Sequence, residues 1–275
     1  MSDLVFDSTE AAELWRAGAA RRAAYLGEAT ERMLDAAGVV PGARVLDLGT
    51  GTGDSAILAG ARVGPTGRVL ATDISKPMLK AAAEGAQAAG ATNVEFQVAD
   101  AGALELDAGS FDAVIARFSL MFVPDFPKAL GRIRQVLRPG GGLGALVWAA
   151  PEANPFLSLT PRVARRTGRL RVPEEQVNGP FRLGDADLLE KTAREAGWAE
   201  VAVEAIPLEI RLPDVATAHD ALLSSPLATA VINALAEAER ASFEDDVQAE
   251  LELCRAGEGY AFPALVLLLR ARNLS

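Results

Sequence analysis

Val45-Leu46-Asp47-Leu48-Gly49-Thr50-Gly51-Thr52-Gly53-Asp54 decides how this chain folds. A short apolar run ends in an acid and opens into three glycines at alternate positions. Such glycines let backbone come close to a bound molecule, and the acid sits where a strand would end. A second acid, Asp73, closes the next apolar run, at the distance expected for a residue that grips ribose hydroxyls. Together they point to a nucleoside-type cofactor. The dinucleotide pattern is G-x-G-x-x-G, whereas here it is G-x-G-x-G and Asp54 occupies the third glycine position. An acid there repels a pyrophosphate, which makes an NAD(P)-dependent oxidoreductase the weaker alternative. A cofactor with a sulfonium, an amino group and a ribose but no phosphate suits the acids better.

Working outward, strand and helix patterns alternate. Strands are expected at 44–48, 68–72, 94–98, 111–116 and 143–148, and helices at 55–63, 76–89 and 126–137. The strands are rich in Val, Leu and Ile without strict alternation, as in a parallel sheet buried on both faces. Ser75 suits an N-cap, Pro77 a first turn and Gly90 a C-terminal stop. Right-handed crossovers would bring the ends of these strands, with Asp47, Asp73, Asp100 and Arg117, to one edge. Ala-, Glu- and Arg-rich residues 9–37 read as one or two preceding helices that break at Gly38. After Trp148 the rhythm changes: 151–183 shows no clear strand, a helix follows at 187–196, then a strand at 201–211. Helices interrupted at Ser224-Ser225-Pro226 fill 214–255, and 264–269 reads as a buried last strand.

Composition bounds the function. The chain has 275 residues, half of them hydrophobic, enough for a substantial core. A net charge of −10 argues against nucleic acid as a partner. Cys254 is the only cysteine, so neither an intramolecular disulfide nor a thiolate metal cluster is expected. Met1-Ser2-Asp3-Leu4 lacks the features of a signal peptide, and no apolar run approaches about 20 residues. The expectation is a cytoplasmic protein with no membrane span and no metal.

The glycine segment resembles motif I of the class I S-adenosylmethionine-dependent methyltransferases, and Ala71-Thr72-Asp73-Ile74-Ser75 resembles the acidic turn after it. Val98-Ala99-Asp100-Ala101 is similar to the family's third such turn. Phe111 to Arg117 with Met121-Phe122 resembles the fourth motif of the ubiquinone/menaquinone-type enzymes, and Val136 to Gly141 the turn into strand five. The resemblance implies an α/β fold: a Rossmann-like, doubly wound, mostly parallel sheet whose last strand is antiparallel, with N-terminal helices and a helical cap. It also implies S-adenosyl-L-methionine as cofactor and a small organic methyl acceptor, methylated at carbon or oxygen. A cofactor-binding member that does not methylate is a further alternative. The division expected is a helical segment 1–40, a cofactor-binding core 41–150, and a remainder 151–275 carrying cap insertions at about 151–183 and 214–256.

The resemblance carries roles over residue by residue. Asp47 helps hold the methionine amino group, and Gly49, Thr50, Gly51 and Gly53 form the loop beside the amino-acid moiety. Asp73 accepts from both ribose hydroxyls, Ile74 packs on adenine, and Asp100 with Ala101 meets the adenine amine. Arg117 stands at the fourth motif. Bland readings stand beside these: Asp100 also suits a local turn cap, and Arg117 a structural ion pair. His219, the only histidine, is the candidate general base should the acceptor be a hydroxyl. Tyr25, Glu209 and Arg211 are other polar candidates. The arginines from 162 to 171 read as a salt-bridged face or as an anion receptor. Trp148, Phe156, Phe181 and Phe262 suit core packing or an aromatic pocket.

Overall fold

A computed structural model describes residues 8–223 and 225–275. The residues bearing on a signal peptide, Met1 to Leu4, and Ser224 of the expected interruption lie outside the described residues. Thr9–Ala17 (α1) and Ala19–Ala37 (α2) precede the sheet; they part at Gly18, and Gly38 closes α2 in the left-handed conformation. Then follow Arg44–Leu48 (β1), Asp54–Val63 (α3), Arg68–Asp73 (β2), Lys76–Ala88 (α4) and Val94–Val98 (β3). Phe111–Arg117 (β4), Phe126–Val136 (α5) and Leu137–Trp148 (β5) complete the alternation. Ser75 caps α4 by accepting from the Met78 N–H, with Pro77 in the first turn.

Two strands start well before the expectation: the last strand begins at Gly259 rather than at residue 264, and β5 at Leu137 rather than at residue 143. Leu137 pairs with Phe111, but the next partner of β4, Ala113, pairs with Gly142. The residues between them bulge out, with Gly140 at φ 81°. The turn chemistry of Arg138-Pro139-Gly140-Gly141 thus lies inside a strand rather than before it.

After β5 come Leu159–Arg166 (α6), Glu174–Asn178 (α7), Ala186–Glu195 (α8) and Ala199–Leu212 (β6). Val215–Leu223 (α9), Pro226–Asn233 (α10), Glu237–Glu252 (α11), Arg255–Ala256 (β7) and Gly259–Arg272 (β8) end the chain. The sheet order is β3-β2-β1-β4-β5-β8-β6, with β7 paired to β8. β1 to β5 pair in parallel; β8 runs antiparallel to both neighbours, β5 and β6. The fold is therefore Rossmann-like, mixed α/β with an antiparallel last strand. Because β8 opposes both β5 and β6, those two point the same way. The segment leaving β5 and the one leaving β6, which carries α9 to α11, both depart from the edge where β1, β2 and β4 end. That edge gathers the ligand-facing loops of such sheets.

Salt bridges join the two departing segments. Arg162 and Arg166 reach Glu250 at 3.0 and 3.4 Å, Arg169 reaches Asp246 at 2.5 Å, and Arg171 reaches Glu239 at 3.5 Å. Arg165 pairs with Glu174 at 2.7 Å. Each of these five arginines has an acid partner, so they form a salt-bridged face, and each pair at the surface contributes little. Among the described residues no single helix is long and apolar enough to cross a membrane.

Candidate active site

The loop after β1 is held from both sides. Thr50 N–H donates to the Thr72 carbonyl at 2.9 Å, and Ser119 Oγ, from the segment after β4, donates to the Leu48 carbonyl at 2.5 Å. Gly49 has φ +65°, and a Cβ there would lie 2.3 Å from Ser119 Cβ. Only glycine permits this approach of the two loops. Asp73 ends β2; its Oδ2 accepts from Gly51 N–H and its Oδ1 from Ser75 N–H, both at 2.9 Å. A carboxylate oxygen takes more than one hydrogen bond, so Asp73 is fixed in orientation and can still receive a diol. Beside it Ile74 and Val98 are 47% and 49% exposed, two large apolar side chains at adjacent strand ends. A flat apolar ring would cover them. Asp100 caps the following turn, its Oδ1 accepting from Gly102 N–H at 2.7 Å, with Ala101 half-buried in that turn.

Asp47 is fully buried. Thr50 Oγ1 and Ser55 Oγ both donate to its Oδ2, at 2.7 and 2.8 Å, so the Thr50 hydroxyl faces this acid. Its Oδ1 has no hydrogen-bond partner. Burial pushes the Asp47 carboxyl up to about 6, against the two hydroxyl bonds and the field of Arg117. The folded state therefore holds this proton more tightly than the unfolded chain, and stability falls as pH rises from about 4 to about 6. Above that range the ionised carboxylate costs the fold about 3 kcal/mol, the equivalent of the gap between 3.8 and about 6. Asp47→Asn removes the titration. In urea denaturation its stability relative to the parent is expected to shrink by about 2 kcal/mol between about pH 8 and about pH 4.5. A difference independent of pH would contradict this.

Asp54 begins α3, where Arg22 of α2 and Arg117 of β4 both reach its Oδ2, at 3.3 and 3.2 Å. Arg117 also donates to Thr30 Oγ1 at 3.3 Å, and Arg22 to the Trp15 carbonyl at 2.7 Å. The Arg22 guanidinium lies 4.1 Å from the centre of the Trp15 ring, a cation–π contact. Trp15 Nε1 in turn lies 3.6 Å from where a Cβ on Gly51 would be. The sequence reading of Asp54 as an acid facing the ligand did not foresee these partners. Two guanidinium groups surround it, so its charge is compensated within the protein. Arg22, Trp15 and Ser119 escaped the sequence reading because an Ala/Arg-rich helix and a Phe-Ser pair carry no signature of a site.

On the acceptor side, Phe118 has φ 56°, a conformation uncommon for a bulky residue, and stacks on Trp148 at 4.4 Å between centroids. Arg182 fastens the loop after β4: its Nε donates to the Met121 carbonyl at 3.0 Å, its Nη1 to the Pro124 carbonyl at 3.2 Å, and its Nη2 to the Val123 carbonyl. Trp148, Phe156, Phe181 and Phe262 are buried, and Phe156 and Phe262 pack at 5.0 Å. His219 lies half-buried on α9, and among the described residues no acid holds it as a base would be held. Glu209 and Arg211 pair with each other on exposed positions of β6.

Over residues 45–141 the chain matches the methyltransferase-domain family. Nocamycin O-methyltransferase of Saccharothrix syringae is 32% identical over 204 residues, which cover 66% of this chain and 68% of that protein. Demethylmenaquinone methyltransferase of Thermus thermophilus is 42% identical over 113 residues, 41% of this chain but only half of that protein's length. Among solved structures, phosphoethanolamine N-methyltransferase 2 of Haemonchus contortus, in complex with S-adenosyl-L-methionine, has a TM-score of 0.56 at 19% identity, covering 90% of this chain and 53% of that one. At that identity the likeness speaks for the fold. The similarity over two thirds of a relative's length places this chain in the S-adenosyl-L-methionine-dependent methyltransferases, enzymes that take S-adenosyl-L-methionine as cofactor.

Proposed function

We propose that this enzyme methylates a small, uncharged organic acceptor at carbon or oxygen, with the cofactor lying across the ends of β1, β2 and β3. The observation that carries this is Asp73, aimed by two backbone N–H groups and keeping acceptor capacity for a ribose diol. Ile74 and Val98 supply an apolar seat for adenine, with Asp100 and Ala101 beside it. Gly49, Thr50, Gly51 and Gly53 form the wall along the amino-acid end, and the unpartnered Oδ1 of Asp47 suits an ammonium group. When bound, the sulfonium supplies an activated methyl group for in-line displacement. The chain's own part is alignment and exclusion of water. The segments after β5 and β6 leave the sheet at that edge, which supports reading them as a cap over the acceptor, with the loop held by Arg182 beside it.

An uncharged acceptor is supported by the cap, where every arginine from 162 to 171 named above is already paired. The single cysteine, Cys254, supports a cytoplasmic location. Transfer of label from methyl-labelled S-adenosyl-L-methionine to a panel of naphthols, phenols and carboxylates tests the proposal. Labelled naphthol or phenol is the expected product; labelling of carboxylates alone would overturn it. Thermal stabilisation by NADH and not by S-adenosylhomocysteine would contradict the cofactor assignment. With no carboxylate among the described residues to orient it, His219 is expected to be dispensable. His219→Ala should keep turnover within about threefold, and a loss of the 10²-fold or more typical of a general base would make it catalytic.

A further inference from the structure

We propose that Arg182 is a positioning residue for the methyl acceptor: its guanidinium sets the loop between β4 and α5, and through that loop the Phe118 ring. This rests on the acceptor edge proposed above. Arg182 gives all its described bonds to carbonyls of one loop, those of Met121, Val123 and Pro124. Among the described residues no acid pairs with it, although surface arginines commonly meet carboxylates. The sequence explains why these carbonyls need a donor. In a tight turn a carbonyl accepts from the N–H three residues on. For Met121 and Pro124 those residues are Pro124 and Pro127, which have no N–H. The fork of one guanidinium supplies the donors that the prolines remove.

Both ends of this connection are seated. On the donor side Phe181 is buried, and its carbonyl accepts from Gly184 N–H at 2.8 Å. A Cβ on Gly184 would lie 2.8 Å from Ala149 C and Ala150 N, so this segment packs directly on the backbone leaving β5. On the loop side, Ser119 holds the Leu48 carbonyl after β1, and Val123 meets the turn after β3, where a Cβ on Gly102 would lie 3.1 Å from Val123 Cγ1. The loop therefore crosses the edge assigned to the cofactor, and Arg182 grips its far end. Inside it, Phe122 N–H donates to the Ser119 carbonyl at 3.0 Å and Val123 N–H to the Leu120 carbonyl at 3.2 Å. So short a turn does not by itself hold Phe118 at φ 56°; such a conformation persists when its surroundings enforce it. Trp148, on which Phe118 stacks, directly precedes Ala149, so the segment after β5, the loop and the aromatic pair close into one unit. Asp73 and Asp100 are held by bonds of their own that do not pass through Arg182. Its loss should fall on the acceptor and spare the cofactor.

Kinetics with methyl-labelled S-adenosyl-L-methionine and 2-naphthol, beside calorimetry with S-adenosylhomocysteine, test this. Arg182→Met is expected to raise KM for 2-naphthol by about tenfold or more and to leave the Kd of S-adenosylhomocysteine within about twofold. A general loss of stability would move both. An unchanged KM, or equal losses for the two probes, would overturn the proposal. Arg182→Lys keeps the charge without the fork and is expected to stay within about threefold of Arg182→Met. Full recovery of KM by Lys would overturn the role of the fork. Amide hydrogen exchange reads the loop without an acceptor. In Arg182→Met the N–H groups of Phe122 and Val123 are expected to exchange at least about tenfold faster, with Thr50 N–H within about twofold. Unchanged exchange at Phe122 and Val123 would overturn the clamp. If the unaltered enzyme transfers nothing to 2-naphthol while exchange quickens in the variant, the acceptor reading fails and the clamp on the loop stands.

Discussion

Gly144→Ala is expected to destabilise the protein by about 3 kcal/mol or more, seen as an earlier midpoint in urea. Gly144 lies in β5, where α2 crosses the sheet. A Cβ there would stand 2.3 Å from the Met33 carbonyl oxygen, 3.1 Å from the Ala37 nitrogen and 3.2 Å from Ala37 Cβ. The nearest of these atoms is backbone within the C-terminal third of a 19-residue helix, which cannot rotate aside as a side chain could. α2 would have to lift from the sheet, opening contacts made by the fully buried Met33 and Leu34. Gly131→Ala is the control. Its Cβ would meet nothing within 4 Å inside α5, so a gain of about 0.5–1 kcal/mol is expected there. Equal effects at the two positions would show that close packing of α2 is not what Gly144 permits.

The second large effect is on binding. Asp73→Ala is expected to weaken S-adenosylhomocysteine by about 1.5 to 3 kcal/mol, or about 10- to 150-fold, because charge-assisted bonds to the ribose are lost. The substitution also releases the N–H groups of Gly51 and Ser75 that the carboxylate now holds. Asp73→Asn separates the two effects. The amide oxygen can still accept from the loop, whereas the charge and one acceptor oxygen are gone. An intermediate loss for Asn supports direct ribose contact, and calorimetric affinities unchanged in both variants would remove Asp73 from the site.

The parallel half of the fold was legible because each strand announces itself by a local apolar run, the first ending at a glycine and the second at an acid. Ser75 and Pro77 marked the start of α4, and Gly38 the end of α2, through backbone chemistry that needs no distant partner. β5 was harder. Its first residues look like a turn, and only pairing with Phe111 and Ala113 shows them to be a bulge. The candidate site divides in the same way. Asp47, Asp73 and the glycines lie at strand ends that sequence can locate, but Arg22, Asp54 and Arg117 meet only after the chain has crossed from α2 through α3 to β4. Seen singly, Asp54 reads as an acid that repels a pyrophosphate; in the fold it is seated between two arginines in an ion-paired cluster. Likewise Arg162 finds Glu250 across 88 residues, a distance at which composition says nothing about pairing.

A crystal structure with S-adenosylhomocysteine bound tests most directly whether the ends of β1, β2 and β3 hold the cofactor. The expected result places both ribose hydroxyls on Asp73, the adenine against Ile74 and Val98, and the sulfur facing Phe118 beneath the cap. Density for the ligand anywhere else, with Asp73 still bonded only within the protein, would contradict it.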